Sequence, residues 1–304
     1  MEEMTIVTAF FDVGRAKWPG FGRDSSKYVE YFKFWARMKN TIVVYTDRNT
    51  AEQVLDIRGS FGLKARTFTV IAEDISTFDH DVYRSIENAL SHELAIKFRK
   101  KPTCPECYNA LYDYLMYLKP HFVADAVQKG LADGMIAWMD FGYNHGGEFF
   151  TNPMDFDFLW KYDFSPKIHI FAINPLENTP IFEVVRTMKT YVAGGLIAAP
   201  AELWETLRLL FRKAILGLAS CGLMDDDQTL LIMAYRERPE LFEIHSIDDF
   251  YFPLKNCGGS HLASVPLKQS RKSRKTAQKC WKAGEFHQAL KWYLKYAAEK
   301  MQSK

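Results

Sequence analysis

The stretch Met135-Ile136-Ala137-Trp138-Met139-Asp140-Phe141-Gly142 decides how the chain is read. Five apolar residues without a polar break describe a short strand buried on both faces, which is the habit of a parallel sheet covered by helices. Such a strand delivers Asp140 at its carboxyl end, and Gly142 lets the backbone come close to a ligand there. Upstream, residues 108–127 read as one long amphipathic helix and 82–99 as another that ends in basic residues, as the helix dipole prefers. Before them come a strand at 65–71, a short helix at 51–57, a strand at 41–46 and a helix at 28–38 closed by Asn40. The first strand, residues 5–11, stops at Asp12 and Gly14. Strand and helix therefore alternate, which predicts an α/β fold: an open, mostly parallel sheet flanked by helices, with ligands beyond the carboxyl ends of the strands.

Beyond Asp140 the pattern loosens into a loop rich in Gly, Asn, Asp and Pro, reaching to about residue 166. A strand at 168–172, a turn at Gly194-Gly195 and a helix at 201–218 follow. We expect a nucleotide-binding half over 1–143, an acceptor-side half over 144–265 and a basic helical tail over 266–304. Within the tail, residues 278–300 have the spacing of a helical hairpin.

A chain of 304 residues that is 48% hydrophobic and 25% charged buries a sizeable core, which excludes disorder as the default. It holds no uncharged apolar run of the length that crosses a membrane, and Met1-Glu2-Glu3 lacks the layout of a secretion signal. Five cysteines, of which only Cys104 and Cys107 are close in sequence, imply no disulfide framework, and a zinc site would need a second pair. Together these features predict a cytoplasmic protein. The net charge of +2 is unevenly spread: residues 268–304 carry 11 Lys/Arg against two Glu, a balance of +9 that leaves −7 elsewhere. A basic, aromatic-rich end is drawn to an anionic membrane surface or to nucleic acid, although a solvated helix face has the same composition. Peripheral contact with the inner face of a membrane is the expected role, and nucleic acid is not the expected partner. Loop aromatics such as Phe250 and Tyr251 offer flat faces for stacking on sugars or bases.

Among residues that could carry chemistry, Asp140 comes first. A transferase that uses a nucleotide sugar must neutralise a diphosphate leaving group, and Mg²⁺ or Mn²⁺ held by a carboxylate does so without moving a proton. Asp155-Phe156-Asp157 has Asp-x-Asp spacing but lies in the loop rather than at a strand end. Asp-Phe-Gly also occurs in kinases, yet the chain shows neither a Gly-rich loop at its start nor a His-Arg-Asp segment. Asp225-Asp226-Asp227 precede an apolar helix at 229–235 and cap it, and because neighbouring acids cannot all ionise freely, Asp227 and then Asp226 are the candidates for a general base. Arg15 and Lys119 supply cations for a diphosphate. His261, in Cys257-Gly-Gly-Ser-His261, is the candidate second metal ligand, against the commoner role of a lone histidine as a hydrogen-bonded structural residue.

Three stretches taken together, Thr8-Ala-Phe-Phe-Asp-Val-Gly-Arg15, Ala137-Trp-Met-Asp-Phe-Gly-Tyr143 and Asp226-Asp-Gln228, resemble the HtrL/YibB (WlaTC-like) family of bacterial proteins. Tyr108-Asn109 and Lys119 add to the likeness, which covers roughly residues 4–262 and leaves the basic tail out. The resemblance implies a GT-A-like glycosyltransferase that moves a sugar from a nucleotide sugar, a UDP-sugar above all, to a bacterial surface glycan such as lipopolysaccharide, with a glycan or lipid-linked glycan as acceptor. It implies that Thr8, Ala9, Asp12 and Arg15 meet the nucleotide, with Lys119 and Gly142 near it, and that Asp140 is the metal aspartate. Position 142 is Gly where the usual transferase pattern has a second Asp. That departure keeps an alternative open, a non-catalytic module on the same fold whose basic tail docks a membrane or protein partner.

Overall fold

Seven strands, β1 (Thr5–Phe10), β2 (Ile42–Thr46), β3 (Thr67–Ile71), β4 (Met135–Met139), β5 (Ile168–Ala172), β6 (Leu196–Pro200) and β7 (Phe242–Ser246), make one sheet in the order β3-β2-β1-β4-β6-β5-β7. The coordinates are a computed structural model, which describes residues 2–302 apart from 19–21, 23, 177, 265–272, 274, 275, 279, 282 and 283. Every pairing is parallel except the two made by β6. The expected open, mostly parallel sheet flanked by helices is thus present, with one reversed strand. The reversal passes through Leu-Ile-Ala-Ala-Pro, a run poor in the β-branched and aromatic residues that signal a strand, so from sequence this segment reads only as the sequel to a Gly-Gly turn.

The helices α1 (Ser25–Trp35), α2 (Arg48–Ser60), α3 (His80–Leu90), α4 (Glu93–Phe98), α5 (Ala110–Tyr117), α6 (Lys119–Gln128), α7 (Ile181–Thr187), α8 (Ala201–Ser220) and α9 (Asp227–Glu237) connect the strands. Where one helix is expected over 108–127 there are two, because Pro120 has no N–H to donate and its ring crowds the turn before it. The 82–99 segment likewise divides, with Ser91 Oγ bonding back to the Asn88 carbonyl at 2.7 Å and His92 extended. On one face of the sheet, Val7, Val43, Ile136, Trp138, Ile170 and Ile197 pack into a core with Phe122, Trp204 and Phe211 from α6 and α8. On the other, Phe32 of α1 stacks on Phe141 at 4.6 Å and Trp35 Nε1 donates to the Phe141 carbonyl at 3.1 Å.

Residues 2–147 and 152–262 belong to this unit, and 148–151 with 263–304 form a second one. In the second unit the later arm of the expected hairpin is the helix Phe286–Gln302, while residues 279, 282 and 283 of the earlier arm lie outside the described residues. No helix among the described residues is long and apolar enough to cross a membrane.

One buried cation fixes the entry side of the sheet. Arg58 of α2 is fully buried and donates to the carbonyls of Ala36 (2.7 Å), Met38 (2.5 Å) and Asn40 (2.8 Å) and to Thr67 Oγ1 (2.9 Å). It joins the end of α1 to the starts of β2 and β3. Replacing it by methionine keeps the volume and strands three carbonyls, so denaturant unfolding of Arg58→Met is expected to show a loss of about 3 kcal/mol or more.

Candidate active site

Asp140 emerges where β4 ends, its N–H donating to the Gly195 carbonyl at 3.0 Å, so the loop before β6 holds the residue in place. Its Oδ1 accepts from Trp138 Nε1 at 2.8 Å and from Lys119 Nζ at 2.9 Å. Lys119 opens α6, just after the break that Pro120 enforces. The same ammonium donates to Asp227 Oδ2 at 2.9 Å and to the Gly194 carbonyl at 3.0 Å. A lysine has three donors, and all three are used here. The side chains of Lys119 and Asp227 are 2% and 3% exposed, whereas Asp140 is 37% exposed. Gly194 is required at its position, because a Cβ there would lie 1.9 Å from Asp227 Oδ2.

Burial acts to lower Lys119, but the charges of Asp140 and Asp227 outweigh it and hold the ammonium above the ordinary lysine value. Burial pushes Asp227 up to about 6, although Lys119 acts in the opposite sense. Its neighbours are also raised by burial: Asp226 well above the carboxylate range, further raised by Asp227 and Asp225, and Asp225 less so beside Arg99 at 3.4 Å. Asp113, fully buried with neither oxygen partnered among the described residues, is raised well above its ordinary value by the same desolvation. The acids around the start of α9 thus carry less charge than their number suggests. Asp226 is the helix cap, accepting from Gln228 N at 3.0 Å, and borders a separate small cavity with Asp225 and Glu106.

The exposed side of Asp140 faces a cavity of about 240 Å³. Ala9, Asp12, Arg15 and Gly142 line it, as do the aromatic rings of Phe10, Tyr28, Tyr112, Phe141, Phe250 and Tyr251. Arg15 donates to the Tyr28 hydroxyl and stands over the rings of Trp18 (5.3 Å) and Tyr28 (5.5 Å). Asp12 shapes the turn, accepting from Gly14 N at 2.8 Å and from Ser25 Oγ at 2.7 Å. At Gly142 the close approach is to Tyr28, whose ring would lie 3.1 Å from an added Cβ.

Of the residues singled out from sequence, Ala9, Asp12, Arg15, Asp140 and Gly142 are brought together at the cavity, with Lys119 and Asp227 directly behind Asp140. Asp227 is not a lining residue and is bonded to Lys119, a placement suited to orienting the lysine rather than touching an acceptor. Thr8 is fully buried within β1, its hydroxyl without a partner among the described residues. His261 is exposed, pairs through Nε2 with the Asp155 carbonyl at 2.9 Å and is not a lining residue of the cavity. Asp157 pairs with Lys39 at 3.2 Å, so the Asp-x-Asp segment serves the surface. Sequence reading misses Tyr28, Tyr112 and Gly194. The first two look like ordinary helix aromatics, and only the adjacent glycine pair hinted at the third.

A family model described as "Bacterial protein of unknown function (HtrL_YibB)" matches residues 2–257. Protein HtrL of Escherichia coli (strain K12) is 28% identical over 284 residues, covering 88% of this chain and 96% of that protein. Among solved structures, mouse xyloside xylosyltransferase 1 in its apo form superposes with a TM-score of 0.43 at 12% identity, covering 80% of this chain and 85% of that one.

Lys119→Met keeps the stem and deletes the charge, leaving Asp227 buried without a cation. Stability at pH 8 is expected to drop by about 3 to 5 kcal/mol. The folded-state pKa of a raised carboxyl lies above its unfolded value, so its contribution favours folding at low pH and is lost as pH rises through about 6. The cost of Lys119→Met should therefore shrink towards pH 5, which urea unfolding at the two pH values will read.

Proposed function

The chain belongs to the HtrL/YibB family of bacterial proteins, and on that premise we propose that it transfers a sugar from a nucleotide sugar, a UDP-sugar, to a glycan or lipid-linked glycan of the bacterial surface such as lipopolysaccharide. The observation that carries the reading is Asp140: a half-exposed carboxylate at the exit of a buried strand, facing an aromatic-walled cavity and fixed from behind by Lys119.

The donor set fits a divalent ion. Asp140 Oδ1 receives both N–H donors, and Oδ2 accepts no hydrogen bond among the described residues. Mg²⁺ commonly binds through one or two carboxylates together with substrate phosphates and water, and Mn²⁺ suits the same oxygen ligands, so the single carboxylate here is sufficient. When bound, such an ion would neutralise the departing diphosphate. The chain's own residues do the remainder. Lys119 holds the Asp140 carboxylate in one orientation, Asp227 holds Lys119, Arg15 brings a cation to the cavity wall, and Phe10, Tyr28 and Phe250 provide faces for a base or sugar. In this reading Asp227 is a positioning residue.

The helix Phe286–Gln302 supports attachment at a membrane from the cytoplasmic side. Phe286, Leu290 and Leu294 are exposed at a spacing of four, beside Lys291 and Lys295. An amphipathic basic helix of this kind lies along an anionic surface. A second reading, a binding module without transfer activity, draws on the glycine that follows Asp140 by two positions.

Thermal shift with UDP and Mn²⁺ tests the site. A ligand at 100 times its Kd stabilises by about 2.7 kcal/mol, and this Mn²⁺-dependent rise is expected in wild type and in a chain lacking 268–304. Asp140→Asn, which keeps an acceptor for Trp138 and Lys119, should lose it, and an undiminished response in that variant would sink the proposal. A shift without sugar transfer or hydrolysis for any UDP-sugar would favour the binding module. For the enzyme, kcat/KM should rise with pH through about 6 as Asp227 ionises, and Asp227→Asn should flatten that limb.

A further inference from the structure

A second cluster of ligating side chains sits on the edge of the sheet, away from Asp140. His169 of β5 is the register partner of Glu243 on β7, and His245 is two residues further along, so all three share one sheet face. Ile168 and Ile170 turn to the opposite face, into the core under α8. The register His169↔Ala198↔Ala137 puts the cluster two strands across and three residues back from Asp140, about 14 Å away by strand geometry. Among the described residues this is the one group of three His, Cys, Asp or Glu side chains whose ligating atoms all lie within 4.8 Å of one another.

We propose that His169, Glu243 and His245 form a binding site for a divalent transition-metal ion of the Zn²⁺ type, which clips the edge strand β7 to β5. His169 Nε2 lies 2.9 Å from the Ser165 carbonyl, so that nitrogen carries the proton and Nδ1 presents its lone pair to His245 Nε2 at 2.8 Å. A ligating imidazole characteristically hands its other N–H to a backbone carbonyl in this way. Ser165 also donates from Oγ to Glu243 Oε2 at 2.5 Å, so one residue orients two of the three ligands. Glu243 Oε1 stands 3.9 Å from His245 Nε2. The rings of Phe164 (4.5 Å from His169) and Phe171 (5.1 Å from His245) wall the cluster.

Without an ion, the N–H of His245 Nε2 fills the gap to His169 Nδ1. An ion replaces that proton. Tetrahedral bonds of the usual Zn–N length set two nitrogens about 3.3 Å apart, so the imidazoles must separate by roughly 0.5 Å. His169 is anchored at 1% exposure, while His245 and Glu243, with side chains 25% and 45% exposed, are free to adjust and leave a fourth position open to water. Two imidazoles and a carboxylate select Zn²⁺, Co²⁺ or Ni²⁺ over Mg²⁺, which prefers an all-oxygen shell.

The test is calorimetric titration of the chelator-stripped full chain with Zn²⁺, repeated with Co²⁺ while recording the visible spectrum. We expect one Zn²⁺ per chain, an intense Co²⁺ band of low-coordinate geometry and a higher Tm with metal. His245→Gln and Glu243→Gln, both at partly exposed positions, should fold normally by circular dichroism and weaken binding at least tenfold each. Asp140→Asn should leave it intact, which separates this site from the one facing the cavity. No saturable binding at one ion per chain, binding undiminished in both edge variants, or binding lost in Asp140→Asn would overturn the proposal.

Discussion

The geometry of the cleft depends on one buried ammonium. Lys119 Nζ spends its three N–H groups on Asp140, Asp227 and the Gly194 carbonyl, and these acceptors come from three places far apart in sequence. Desolvating such a charge costs several kcal/mol, and only simultaneous contact with two carboxylates and a carbonyl offsets it. Each acceptor is therefore pinned by the others. Gly194 is the clearest consequence, since any side chain there would occupy the space of Asp227 Oδ2.

Behind that ammonium, the start of α9 gathers three consecutive aspartates, with Glu106 and Asp113 close enough to influence them. Full ionisation of such a group would be self-defeating in a buried setting. The structure answers in three ways. Arg99 and Thr229 take Asp225, the helix terminus takes Asp226 and Lys119 takes Asp227, while burial raises what these contacts do not hold down. The cluster is better understood as the foundation of the Lys119 contact than as a set of independent acids.

The first half of the fold is legible because each of β1, β2 and β4 is a short apolar run followed by a turn residue or cap, a pattern that only a doubly covered sheet explains. β6 is hidden by its alanines and its terminal proline. β7 is no shorter than β2 or β4, but Phe242 and Ile244 alternate with Glu243 and His245, so it lacks the continuous apolar run that marks those strands. At the site, Asp140 and Asp227 are recognisable because each sits at the end of an element, and Lys119 only as a cation within the helix expected over 108–127. Their union is not, because the meeting of Lys119 with Asp227 and the demand for glycine at 194 arise from packing between segments distant in sequence. Position 142 shows the converse: the glycine meets a close neighbour, but that neighbour is the ring of Tyr28.

The Lys119 contact also bears on how a metal ion would be held in the proposed reaction. At Oδ1 of Asp140 a cation already stands 2.9 Å away, so the Asp140–Lys119 pair is close to neutral as a unit. Asp227, pushed up to about 6 by burial, faces the same lysine. An ion approaching Oδ2 would therefore find a carboxylate whose other oxygen is already engaged by Lys119 and Trp138. A diphosphate in the cavity would supply further oxygen ligands and negative charge at once. On this arrangement Asp140 would orient an ion whose remaining ligands come from the diphosphate, with Lys119 and Asp227 fixing the carboxylate from behind.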